Sequence, residues 1–290
     1  MGRGECRPYA RYGETPESVI AAIEAIRQFL QEGLERNELS NYLPPGAARN
    51  AIDCALWDLA AKREGLPVWK LAGLMPPQPL VTAYTLSVDS PKNLAETAES
   101  QKWRPLLKLK LAGQNDMECV AAVRANAPAS RLIIDANEAW SQRDYEEITP
   151  ELVHLGVEML EQPFPAGADA CLASLPKLLP VCADESCHDS KSLEGLMGLY
   201  DIVNIKLDKT GGLTEALQMK ALSRKLGFEV MIGCMMGTSL SMAPAFFLAQ
   251  DTRYVDLDAP LLLAKDRQPG FHYIGSQMLP PIGALWGAQE

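Results

Sequence analysis

The chain is 290 residues long, 47% hydrophobic and 22% charged, the balance of an ordinary globular protein rather than of a disordered one. Its 27 Lys and Arg against 37 Asp and Glu leave a net charge of −10, which excludes the basic surface that nucleic acid or an anionic membrane requires. No apolar run reaches the ~18 residues of a bilayer span, the first residues carry no signal-peptide stretch, and the seven cysteines include no CxxC pair, so a cytoplasmic protein without disulfides or structural zinc is expected.

Taken in chain order, Thr15 to Leu34 reads as a helix. Val19, Ile20, Ile23, Ile26, Phe29 and Leu30 share one face, Thr15 is the N-cap and Pro16 takes the first helical position. Ala47 to Arg63 reads as a second helix, stopped by Gly65 and Pro67. Met75-Pro76-Pro77-Gln78-Pro79 reads as a linker. Strand patterns then follow at 81–88, 105–111, 131–136, 158–162, 180–184, 202–207, 229–234 and 254–258. Helical patterns lie between them, near 91–102, 115–126, 143–155, 169–176, 189–199, 213–226 and 238–249. This alternation predicts an α/β fold with a parallel sheet and right-handed crossovers, closed as a (β/α) barrel. An open doubly wound sheet competes with it, but no GxGxxG or P-loop follows a first strand.

A parallel barrel strand is buried on both faces and should be nearly all apolar. Here charges recur toward the carboxyl ends of the strands, where barrel enzymes build their sites. The positions are Lys108 and Lys110, Asp135, Glu161, Asp184, Lys206, and Asp256 with Asp258. Side-chain alternation points Leu107, Leu109 and Leu111 at the helix layer and both lysines of that strand into the barrel mouth. Any one such charge is commonly a solvated strand end, but gathering them on six strands is too costly to be accidental.

Asp135, Glu161 and Asp184 come from three consecutive strands and offer only hard oxygens, the donor set of Mg²⁺ rather than of zinc. Lys110 and Lys206 belong to strands two and six of eight, with the carboxylate strands between them. A substrate carboxylate on the metal would have one amine on each face of its α-carbon. A lysine base needs its pKa lowered from about 10.4. Lys108 is expected to do this for Lys110 by like-charge repulsion, and the cation with desolvation for Lys206. The implied chemistry is proton abstraction α to a carboxylate, with the dication and Lys108 stabilising the enediolate charge. Two opposed bases give racemisation or epimerisation. The Gly237-Thr238-Ser239 turn admits two readings, backbone N–H groups for a carboxylate or a plain N-cap by Thr238.

Together, Lys108-Leu109-Lys110, Asp135-Ala136-Asn137, Glu161-Gln162-Pro163, Ala183-Asp184-Glu185-Ser186 and Asn204-Ile205-Lys206 resemble the enolase superfamily, muconate-lactonizing subgroup. The resemblance implies a modified TIM barrel, (β/α)7β, with an α+β capping domain. It places a partial cap at 1–75, the catalytic barrel at 76–263 and a segment returning to the cap at 264–290. By the resemblance Lys110 and Lys206 are the acid/base pair and Asp135, Glu161 and Asp184 hold Mg²⁺. Asp256-Leu257-Asp258 resembles the Asp-x-Asp with which dipeptide epimerases bind a free α-ammonium. Gly4-Glu5-Cys6-Arg7-Pro8-Tyr9, Arg11-Tyr12-Gly13-Glu14, Gly46-Ala47-Ala48-Arg49-Asn50, Asp53-Cys54-Ala55-Leu56-Trp57-Asp58 and Lys209-Thr210-Gly211-Gly212-Leu213-Thr214 are most similar to the L-Ala-D/L-Glu group. The expected activity is dipeptide epimerisation in the recycling of cell-wall peptides. Its alternatives are N-acylamino-acid racemisation, o-succinylbenzoate synthesis, muconate cycloisomerisation or an inactive truncated barrel. The family's cap opens with antiparallel strands and a mobile closing loop, and this chain starts after them. Altered activity or specificity is therefore expected, and the exposed sheet edges invite either a homo-oligomer or instability.

Overall fold

Short strands apolar on both sides must be covered on both sides, and the chain does this by alternating strand and helix. The computed structural model describes residues 1–287. Eight parallel strands lie in chain order: β1 (Tyr84–Leu86), β2 (Leu106–Lys110), β3 (Arg131–Asp135), β4 (Val157–Glu161), β5 (Val181–Ala183), β6 (Ile202–Ile205), β7 (Glu229–Ile232) and β8 (Tyr254–Val255). β8 returns beside β1: the N–H of Ala83 donates to Val255 O at 2.8 Å, and that of Thr85 to Asp258 Oδ2 at 2.6 Å.

Ala83, Leu106, Ile133, Met159, Cys182, Ile202, Met231 and Tyr254 form one buried cluster, with one residue from each strand or its first flank. Only a sheet curled onto itself brings eight such side chains together, so the open doubly wound alternative is excluded. Leu107, Leu109 and Leu111 join the outer core under the helices, as alternation predicts. Two residues beyond the apolar layer, the inward positions are Thr85, Lys108, Asp135, Glu161, Asp184, Asn204, Gly233 and Asp256.

Three expected elements of the barrel region break. Residues 81–88 do not form one strand. Leu80–Val81 pairs antiparallel with Gln277–Met278 in a separate small sheet, and Thr82 Oγ1 accepts the N–H of Leu257 at 2.9 Å. The helix expected near 169–176 is only the 3-10 turn Ala170–Ala173, because Asp169 instead accepts from Tyr200 Oη at 2.6 Å. The one near 189–199 is reduced to a 3-10 turn, Ser190–Ser192, and the short helix Leu193–Leu196, with Gly195 inside it and Gly198 at φ 80° soon after.

The first predicted helix is two, Pro16–Ala25 and Arg27–Glu32, interrupted at Ile26. Its start is as expected: Thr15 and Ser18 cap each other and Pro16 follows. The helix Ala47–Glu64 docks through polar groups on the short helix Leu207–Thr210 and the start of the helix Leu213–Lys225. Arg49 donates to Thr210 O at 2.5 Å, Asn50 to Asp208 Oδ1 at 2.8 Å, and Trp57 Nε1 to Thr214 Oγ1 at 2.9 Å. Gly212, at φ 114°, permits this approach, since a Cβ there would lie 2.5 Å from Asp53 Oδ2.

Candidate active site

The carboxyl ends of the strands open on a cavity of about 230 Å³. Lys108, Lys110, Asp184, Lys206, Asp256 and Asp258 line it from the barrel, and Tyr9 and Tyr12 from the first residues of the chain. Those first residues are tied across the barrel mouth. Glu5 accepts the N–H of Thr238 at 2.7 Å, the N–H of Arg7 donates to Asp208 Oδ1 at 2.9 Å, and Arg11 pairs with Glu138. Of the two readings of the 237–239 turn, the N-cap is the one found, because the N–H groups of Thr238 and Ser239 are already taken by Glu5 and Asp266. Thr238 caps the helix Ser239–Leu248, and its N–H serves a carboxylate that is the chain's own.

One oxygen from each of Asp135, Glu161 and Asp184 can be chosen so that all three lie within 4.8 Å of one another. The fold holds these groups tightly. Asn137, Glu138 and Gln162, just past β3 and β4, have positive φ of 47°, 64° and 37°, a left-handed strain found at functional sites. Gln162 Oε1 accepts the N–H of Asp184 at 2.9 Å, and its Nε2 donates to Phe164 O at 2.8 Å. Gly233 leaves room for the chemistry of β6, since a Cβ there would lie 2.6 Å from Asn204 Oδ1 and 3.0 Å from Lys206 Cε.

Lys110 and Lys206 stand at the two ends of the carboxylate arc. Lys110 Nζ is 3.3 Å from Asp135 Oδ2, and Lys206 Nζ is 2.6 Å from Asp184 Oδ2. Lys108, 1% exposed, sits in the middle, 2.7 Å from Glu161 Oε2, 2.8 Å from Asp256 Oδ2 and 3.3 Å from Asp135 Oδ2. Burial alone would lower the pKa of Lys108 and of Lys206. Asp256, Glu161 and Asp135 outweigh it for Lys108, and Asp184 and Glu161 for Lys206, so both are held above the ordinary lysine value. In the metal-free site the carboxylates beside Lys206 thus carry more weight than desolvation. Burial and Asp135 push Glu161 upward, and burial and Asp256 push Asp258 up to about 7.

The residues present fit a cation. The donor set is all oxygen, and Glu161 Oε2 is buried with no hydrogen-bond partner, close to Lys108 but not aligned with it. Asp256 Oδ1 is a second buried oxygen without a partner. Lys209 was not legible as a site residue. It is fully buried and donates to Asp184 Oδ1 at 2.5 Å and to Asp184 O at 2.6 Å. A lysine in a four-residue helix after a strand gives no local signal of such partners. Tyr9 and Tyr12 were missed as cavity residues for the same reason.

The comparisons with known proteins agree with this geometry. Residues 92–267 match the model of the enolase C-terminal domain-like family, and residues 1–73 that of the mandelate racemase/muconate lactonizing enzyme N-terminal domain. The chain belongs to this branch of the enolase superfamily. It is 46% identical over 289 residues to an N-acetyl-D-glutamate racemase from Pseudoalteromonas, covering 99% of this chain and 91% of that one. It is 45% identical over 279 residues to the L-Ala-D/L-Glu epimerase of Escherichia coli, covering 96% and 87%. These relatives are isomerases of amino-acid derivatives. A crystal structure of an Agrobacterium tumefaciens enolase family member with homology to dipeptide epimerases, with bound sodium and L-Ala-L-Glu, is 52% identical and superposes with a TM-score of 0.97, covering 99% and 88%. Among the described residues, no helix is long and apolar enough to cross a membrane.

Proposed function

We propose that the chain is a Mg²⁺-dependent dipeptide epimerase of the L-Ala-D/L-Glu type, inverting the glutamyl α-carbon by transfer of one proton. The observation that carries this reading is the placement of Lys110 and Lys206 at opposite ends of the Asp135–Glu161–Asp184 arc. Bound Mg²⁺ supplies a Lewis acid for the negative charge that develops on the substrate carboxylate. Asp135, Glu161 and Asp184 would hold it, and Lys108, beside Asp135 and Glu161, would add a fixed positive charge. One of Lys110 and Lys206 removes the α-proton, and the other returns a proton to the opposite face. A divalent cation on the carboxylates counters the charge that keeps Lys206 protonated.

Residues 1–75 serve as the cap, 76–263 carry the chemistry, and the segment from 264 to 287 returns to the cap. Trp286 Nε1 donates to Arg3 O at 3.1 Å, and the N–H of Gly287 to Asp58 Oδ1 at 2.6 Å. A cytoplasmic role in recycling cell-wall peptides follows from the substrate.

L-Ala-Glu and N-acetylglutamate are both N-acylglutamates and differ in the free ammonium. The unpartnered Asp256 Oδ1, with Asp258 two residues on, favours the dipeptide because a buried carboxylate oxygen requires a donor. A charged hydrogen bond of about 1.5–3 kcal/mol predicts that Asp258→Asn lowers kcat/KM for L-Ala-L-Glu about 10–100-fold. Racemisation of N-acetyl-L-glutamate should be unaffected. Equal losses on both substrates would remove the ammonium role and favour an N-acylglutamate racemase.

A further inference from the structure

In each of the three carboxylates, one oxygen is already held by a donor belonging to the fold. Asp135 Oδ1 accepts the N–H of Asn137 at 3.0 Å, Glu161 Oε1 accepts Asn204 Nδ2 at 2.7 Å, and Asp184 Oδ1 accepts Lys209 Nζ at 2.5 Å. The second oxygen of each faces the ammonium groups of Lys108, Lys110 or Lys206. Two of the three donors are themselves fixed. The left-handed backbone of Asn137, φ 47°, turns its N–H back on Asp135. Lys209 donates also to Asp184 O at 2.6 Å and Asn204 O at 3.0 Å, so its three protons are all engaged. Asn204 thereby links the braces on Glu161 and Asp184.

We infer that Asn204 and Lys209 are positioning residues that leave Glu161 and Asp184 one metal-facing oxygen each, and so make the site select Mg²⁺ over Ca²⁺. The inference rests on the reading of the three carboxylates as a cation site. Mg²⁺ accepts near-octahedral single-oxygen contacts and keeps positions for water or substrate, whereas Ca²⁺ takes six to eight oxygens and favours bidentate carboxylates. A bidentate grip by Asp184 would strip Oδ1 from Lys209 and leave a buried ammonium poorly paired, a strongly unfavourable state.

Calorimetric titration of Mg²⁺ and of Ca²⁺ into the purified chain tests this. Lys209→Met removes a positive charge and changes the affinity for both dications, so the readout is the ratio of the Ca²⁺ to the Mg²⁺ Kd. That ratio should fall about tenfold or more in Lys209→Met, and in the same direction in Asn204→Ala, which removes no charge. Lys206→Met removes a charge from the same Asp184 but leaves Oδ1 held, so its ratio should match that of the unaltered chain. An unchanged ratio in folded Lys209→Met and Asn204→Ala overturns the inference. Should those variants not fold, a crystal structure of the unaltered chain with Ca²⁺ decides. Asp184 bound through Oδ2 alone, with Lys209 still on Oδ1, supports it, and both oxygens on the ion overturn it. If the unaltered chain binds neither dication, the cation site itself is wrong and the inference falls with it.

Discussion

Two inward-facing layers of the barrel lie one step apart along the same eight strands. The lower one, from Ala83 to Tyr254, is apolar and contains no charge. The upper one, about 7 Å further on, carries Lys108, Asp135, Glu161, Asp184 and Asp256. Backbone, pleat and neighbours are shared, so the difference lies in the side chains alone. The lower layer gains stability from burial. The upper layer crowds charges that stay buried only because each has partners of opposite sign. Stability and chemistry are thus separated by two residues along each strand, and substitutions should sort by layer.

The largest expected effect belongs to the lysines at the mouth. Lys110→Ala or Lys206→Ala should lower epimerisation of L-Ala-L-Glu by at least about 10³-fold, read by polarimetry or chiral chromatography. Full turnover by either variant would remove the two-base assignment.

Glu161→Gln should lower turnover about 10²-fold or more while leaving the metal-free fold as stable or more so. The sign follows from the raised pKa of Glu161: ionisation is less favourable in the folded chain than in the unfolded one, so removing that charge relieves a penalty. Urea unfolding in chelator checks it, and a large loss of stability would break the distinction between layers.

Ile202→Ala, one step down the strand that bears Asn204, should do the reverse. It should lose about 2–5 kcal/mol of unfolding free energy while kcat per folded molecule is kept.

The smallest effect concerns pH. Asp258, pushed up to about 7, is protonated below that value and loses its attraction for an ammonium. The KM for L-Ala-L-Glu should therefore rise as pH falls below about 7, with no such rise for N-acetylglutamate. Parallel KM profiles would assign the titration elsewhere.

The layer separation also explains what could be read from the sequence. Charges interrupting apolar strand patterns located Asp135, Glu161 and Asp184, because a run such as Leu132-Ile133-Ile134-Asp135 is anomalous in a strand buried on both faces. Alternation then placed Lys108 and Lys110 inward. The direct ion pair of Lys206 with Asp184 was not legible, since it depends on how two strand ends meet in space. The braces from Asn204 and Lys209 were hidden for the same reason. The helix expected near 169–176 failed because Asp169 found tertiary partners in Ser186 and Tyr200, which local pattern does not encode.

The central claim is that two amines work on opposite faces of one α-carbon. Its most direct test is deuterium incorporation, followed by ¹H NMR, in L-Ala-L-Glu and L-Ala-D-Glu incubated separately with Mg²⁺ in D₂O. The unaltered chain should exchange the glutamyl α-hydrogen of both diastereomers. Lys110→Ala and Lys206→Ala should each exchange only one, and not the same one. Exchange of the same diastereomer by both variants, or none in the folded, metal-loaded chain, would contradict the account.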